Sequence, residues 1–225
     1  MHLTYFGHSC FAVEVAGKTL LFDPFIAPNP LAAHIDITKI AADYILVSHG
    51  HVDHLADAVA IAKRAGAEVI STFEVANWLA GQGVEKVRPM NHGGAAAFPF
   101  GTVKLTNAIH SSSLPDGSYG GNPAGFLITA AEGAFYYSGD TALTYDMKLI
   151  APAKIKFAVL PIGDNFTMGP ADALTAAEFI ACDNIVGVHY DTFPPIKIDR
   201  AAATALFRRA GKNLLLPNIG ERVSF

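Results

Sequence analysis

The chain has 225 residues, 51% hydrophobic and 16% charged, with a net charge of -4. That length bounds it at about one to one and a half typical domains, and so apolar a composition implies a large core or a buried homo-oligomer surface. No basic block exceeds Arg208–Arg209 and no apolar run reaches the roughly 18 residues of a spanning helix, so neither a nucleic-acid face nor a membrane segment is read.

The N-terminus has no basic region followed by an apolar stretch, so no signal peptide is read and a cytoplasmic location is expected. The two cysteines, Cys10 and Cys182, are far apart and each lies in or beside an apolar run. They are read as reduced, packed thiols rather than a disulfide.

Strand-like patterning begins at once. Met1–Phe6, Ser9–Val15 and Thr19–Phe22 are predicted strands, the last two joined by the turn Ala16-Gly17-Lys18, and Asp23-Pro24 ends the third. Ala27–His34 is irregular. Tyr44–Ser48 is short and apolar, suited to the middle of a sheet. Leu55–Ala65 has helical spacing with Gly66 as its C-cap; Glu68–Ser71 is a strand and Phe73–Ala80 a helix. Further strands are predicted at Thr102–Ala108, Gly125–Thr129, Ala134–Ser138, Phe157–Pro161, Ile185–His189 and Asn213–Pro217. Helices are predicted at Asp172–Cys182 and Asp199–Ala210, with loops at 91–101 and 114–125. Strands flank helices in both halves, which gives one α/β layered domain over residues 1–225.

Chemistry concentrates in the stretch VSHGHVDHL, residues 47–55. His49, His51, Asp53 and His54 fall within six positions directly after an apolar strand. Gly50 lets the turn bend so that both imidazoles converge, and Asp53 and His54 sit where a helix would start. A lone strand-end histidine is ordinarily structural. This cluster is not, because burying it without a metal would strand many polar atoms. Four donors overfill one small tetrahedral ion, so two ions are expected, with His49 and His51 on one and Asp53 and His54 on the other. His110, Asp140 and His189 each follow a strand and complete the set, with Asp140 the natural bridging carboxylate.

At this point the chain resembles the metallo-β-lactamase superfamily. The family's ordered signature maps onto Asp23, then His49, His51, Asp53 and His54, then His110, Asp140 and His189, complete and in order. The segments TYFGHSCF, DPF, PAGFLI, SGDT, LPIGDNFTMGP and HYDTFP are similar to an uncharacterised metal-dependent hydrolase branch akin to ascorbate-6-phosphate lactonases. The resemblance implies a four-layer αββα sandwich with the metal site at one edge of two sheets.

It also implies a hydrolase that uses a metal-bridging hydroxide on a small ester, lactone or phosphodiester. Zinc is the first choice of metal, with manganese or iron as alternatives. Asp53 would orient the attacking oxygen or accept its proton. Asp23 would support the histidine-rich loop, and His8 would point into the mouth of the site as a general acid, a substrate contact or an outer contact. A turn histidine is the plain reading of His8. Asp191 is read either as an acceptor behind a ligand histidine or as an ordinary loop aspartate. Asp164 and Thr167-Met168-Gly169 are candidates for the cleft wall, and Asp172 for a helix N-cap. Ser111–Ser113 is read as a loop start, and His2, His34 and His92 as structural or surface groups. A persulfide dioxygenase-like iron oxidoreductase of the same fold is the competing function.

Overall fold

A computed structural model describes residues 1–225. The first half builds β1 (His2–Gly7), β2 (Cys10–Val15), β3 (Lys18–Phe22) and β4 (Tyr44–Val47). It continues with α1 (Val52–Leu55), α2 (Ala58–Ala65), β5 (Glu68–Thr72), α3 (Phe73–Gly81) and β6 (Val87–Met90). The second half builds β7 (Ala95–Phe98), β8 (Gly101–Asn107), β9 (Ala124–Ala130), β10 (Gly133–Tyr137) and β11 (Phe157–Pro161). Then come α4 (Pro170–Phe179), β12 (Asn184–Val188), α5 (Arg200–Arg209), β13 (Asn213–Leu215) and β14 (Arg222–Ser224).

The strands form two seven-stranded sheets, ordered β14-β1-β2-β3-β4-β5-β6 and β13-β12-β11-β10-β9-β8-β7. Each is antiparallel on one side and parallel on the other. β3 to β6 run parallel in the first sheet and β10 to β13 in the second.

Alternation along single strands explains the layers. In β3, Leu20 and Phe22 point into the space between the sheets while Leu21 packs outward under the helices. In β11, Phe157 and Val159 face inward and Ala158 and Leu160 outward. Strands buried on both faces therefore read as unbroken apolar runs. The inner core stacks Phe11 on Phe22 at 4.5 Å and meets Phe135 and Tyr137 from the other sheet. Ile61 and Val75 from α2 and α3 cover one outer face, and Ala173 and Phe207 from α4 and α5 cover the other. The result is the expected αββα sandwich. Both cysteines are buried and unpaired, and no helix is long and apolar enough to cross a membrane.

Several elements depart from the sequence expectation. The helix expected over Leu55–Ala65 is broken into α1 and α2, because Asp57 turns its carboxylate to the N–H groups of Ile26 and Ala27, at 2.6 and 2.9 Å. β7 falls within the segment read as a loop, and β6 and β14 were not expected. β7 is alanine-rich and β6 contains Pro89, so neither has intrinsic strand character; both are edge strands held by a single neighbour. Asp172 lies in the first turn of α4, whose N-cap is Gly169 with Pro170 following, so it is not the cap.

The parallel halves send the C-terminal ends of β3, β4, β10 and β12 to one edge of the sandwich, where ligands of open α/β sheets bind. Hydrogen bonds tie the two sheets together there. His189 N donates to His8 O at 2.9 Å, and Ala124 N donates to Ser48 O at 3.0 Å.

Candidate metal centre

The residues predicted for the site converge on this edge in two groups of donor atoms, linked by a third made of Asp23, His49 and His54. One is His49, His51 and His110; the other is His8, Asp53, His54 and His189. Within each group the potential ligand atoms lie within 4.8 Å of one another. Asp140 stands between them. Its Oδ2 is 3.7 Å from His110 Nε2 on one side, and 3.1 and 2.9 Å from His54 Nε2 and His189 Nε2 on the other.

The backbone is strained to achieve this. His8, Asp23 and His189 all take positive φ, at 54°, 41° and 55°, a region that costs a non-glycine residue roughly 1–2 kcal/mol. Gly139 also has positive φ, and a Cβ there would meet Ala124 O at 2.6 Å; the turn that presents Asp140 therefore requires glycine. Gly163 passes so close to His189 O that a side chain would collide with it.

Behind the ligands, Asp23 organises the first half of the site. Fully buried, its carboxylate accepts from Ser48 N (2.7 Å), Ser48 Oγ (2.6 Å), Tyr137 Oη (2.6 Å) and His54 Nδ1 (2.7 Å). Because Ser48 Oγ donates to Asp23, it accepts from His49 Nδ1 at 2.9 Å. Both histidines thereby donate through Nδ1, and their Nε2 atoms point into the site. His51 faces inward through Nδ1, 2.9 Å from His49 Nε2, with its Nε2 3.3 Å from Ser111 Oγ.

Burial pushes His49, His51 and His110 below the usual histidine value, so they are neutral and ready to ligate. His54 differs. Burial alone would lower it, but the carboxylates of Asp140 and Asp23 overcome that and raise it well above the usual value. Burial likewise works against Asp140, yet His189 and His54 hold its carboxyl well below the usual carboxylate range.

These donors fit a metal. His54 Nε2, Asp140 Oδ1 and His189 Nδ1 are buried with no hydrogen-bond partner, although His54 Nε2 lies only 3.1 Å from a carboxylate oxygen. Crowded, misdirected polar atoms of this kind are costly unless a cation draws them together. Imidazole and carboxylate donors suit zinc, manganese or iron.

Comparison with known proteins agrees. The signature of the Beta-lactamase superfamily domain matches residues 18–190. A UPF0173 metal-dependent hydrolase of Flavobacterium johnsoniae is 50% identical over 224 residues, covering 99% of both chains. The chain belongs to this hydrolase family. A second UPF0173 metal-dependent hydrolase, from Christiangramia forsetii, is 52% identical over 225 residues, again covering 99% of both chains. Among solved structures, Igni18, a metallo hydrolase from Ignicoccus hospitalis, has a TM-score of 0.90 and 35% identity, covering 100% of this chain and 97% of its own. An isothiocyanate hydrolase from Delia radicum gut bacteria overlays with a TM-score of 0.80 at 24% identity over 100% of this chain and 99% of its own, a likeness of fold alone.

The structure separates the readings left open for two residues of the hydrolase. The His8 side chain has no solvent exposure and does not point into the mouth. Its Nε2 is 3.1 Å from Asp53 Oδ2 and its Nδ1 3.0 Å from Thr192 Oγ1, while Phe25 and Phe193 pack against its ring at 5.5 and 5.4 Å. Burial lowers its pKa to about 4. A neutral His8 with Nε2–H donating to Asp53 and Nδ1 accepting from Thr192 satisfies both contacts. Asp191 bonds Ile198 N at 3.1 Å through its carboxylate, so it braces the loop after β12 and is not behind a ligand histidine.

Sequence reading missed Ser48, Tyr137 and Thr192. Ser48 had a signal in its place directly before His49; Tyr137 and Thr192 are remote in sequence from what they touch. Ser112 pins the turn by accepting from Gly50 N at 3.0 Å. Of the cleft candidates, Met168 is buried and bonds Thr141 O through its N–H, next to Asp140, while Asp164 is exposed. His2 and His34 lie on the surface, while His92 is half-buried with Nε2 2.7 Å from Pro123 O.

Proposed function

We propose that this hydrolase is dinuclear, with a small ester, lactone or phosphodiester as substrate. The observation that carries this reading is Asp140, whose single carboxylate lies within 4 Å of donors from both groups. His49, His51 and His110 would hold one ion; Asp53, His54 and His189 would hold the other, with Asp140 between. Bound there, divalent ions would bring a water's pKa toward about 7 and polarise the substrate's carbonyl or phosphoryl oxygen.

The chain's own part is orientation and charge. Asp53 is the site carboxylate with an open face, its side chain 27% exposed against 2% for Asp140. Burial tends to raise its pKa, but the His8 hydrogen bond and the His54 charge hold it well below the usual range. It is therefore charged at neutral pH, with one oxygen held by His8 and the other free to orient an attacking water. His8, neutral and enclosed, is a positioning residue for Asp53 rather than a general acid. Asp23 keeps His54 and, through Ser48, His49 aimed inward.

The test is metal content and turnover of the purified protein against lactones, phosphodiesters and thioesters. Two ions per chain and loss of turnover on chelation are expected. Full activity after complete stripping, or one iron per chain with oxygen consumption, overturns the reading.

A further inference from the structure

Resting on that hydrolase reading, we infer that the substrate has an apolar body and no charge away from its scissile group. The apolar residues interleaved with the ligands are left exposed. Val52, between His51 and Asp53, is 51% exposed; Ile109, beside His110, is 58% exposed. Phe166, at 55%, tips the loop whose Met168 N bonds Thr141 O next to Asp140. Single exposed apolar side chains are ordinary on a surface, but here two sit on the segments that present His51 and His110, and the third on a loop bonded to the residue after Asp140. Beside His110 opens a cleft of about 430 Å³, lined also by Asn107, Asn122 and His92, which are polar without fixed charge.

Cations are missing from the same segments. None of the 16 lysines and arginines falls in 1–17, 19–38, 40–62, 105–147 or 157–196, which between them carry every site residue. Of those just beyond, Lys197 is exposed after the buried Ile196, and Lys148 is bound to Tyr145 Oη at 2.8 Å, over the rings of Tyr145 and Phe179. Arg200 donates to Leu216 O at 2.7 Å. A substrate with a distal phosphate or carboxylate would desolvate that charge against apolar side chains with no arginine or lysine on these segments to receive it. A neutral tail gains from the same contact.

Alkyl hydroxamates read this without turnover, since the hydroxamate group chelates and the tail reports on the mouth. Calorimetry on the metal-loaded protein would compare acetohydroxamate, hexanohydroxamate and the monohydroxamate of adipic acid. Affinity is expected to rise about two- to threefold per methylene, and the distal carboxylate to cost at least about tenfold. Ile109→Lys with Phe166→Lys should close most of that gap. Equal or tighter binding of the carboxylated tail overturns the inference, as does a homodimer whose mass Phe166→Lys halves, because the mouth would then be a subunit contact. Ester turnover with the reverse preference defeats the inference and leaves the hydrolase reading intact. The expected binding order with no turnover of any ester, lactone or phosphodiester does the opposite.

Discussion

The two donor groups are built on opposite principles. His49, His51 and His110 are all imidazole and neutral, with His51 and His110 partly open, and satisfy themselves: His49 Nε2 and His51 Nδ1 already share a hydrogen bond at 2.9 Å. The group of Asp53, His54 and His189 is more enclosed and charged, with His54 pressed against Asp140 and left without a hydrogen bond at Nε2. The difference teaches that the second group depends more on a cation. The same carboxylates favour a proton on His54, so metal binding there competes with that proton.

Asp140 is where the comparison is most easily broken. Asp140→Ala removes the carboxylate both groups share and should lower kcat/KM beyond the roughly 100-fold ceiling typical of lost outer acceptors. Steady-state kinetics on the metal-loaded variant checks this, and a loss below tenfold would mean that the two groups work apart. Next comes Asp23→Ala, which touches His54 directly but His49 only through Ser48. The ion held by the second group should bind about 10- to 100-fold more weakly, and the other should change less. Titration against a chromophoric chelator separates the two; equal losses would erase the distinction.

Smaller effects are expected at His8. His8→Ala should reduce kcat by about tenfold with little change in KM, and His8→Gln should restore part of it, because the amide can still donate to Asp53. Loss of KM instead would place His8 against substrate. The smallest effect is on stability. The folded pKa of His8 is about 4 against 6.5 for the free side chain, so the unfolded chain binds the extra proton between those values. Stability tied to a neutral His8 is intact above pH 6.5 and is lost as pH falls toward 4. In metal-free protein, the advantage of wild type over His8→Gln should shrink by about 2 kcal/mol between pH 7 and 4.5, read from urea midpoints.

What could be read in advance followed the reach of each signal. The candidate donors were legible because coordination demands particular side chains at strand ends, and VSHGHVDHL places four of them in one turn. The strands of the core were legible because burial on both faces leaves unbroken apolar runs, as in β3, β4 and β11. Edge strands were not, since β7 owes its form to β8 rather than to its alanines. The break at Asp57 was equally silent, because nothing local says that its carboxylate will leave the helix for Ile26 and Ala27.

The sequence alone determined the family, the layered fold and the donor set, because periodicity and ligand chemistry are properties of residue type and order. Tertiary structure alone decided how those donors are divided, that Tyr137 and Thr192 stand behind the site, and that His8 is enclosed behind Asp53 while Asp191 turns away to Ile198. Those outcomes depend on which loop ends two sheets bring within about 3 Å of one another, a distance set by core packing far from the site.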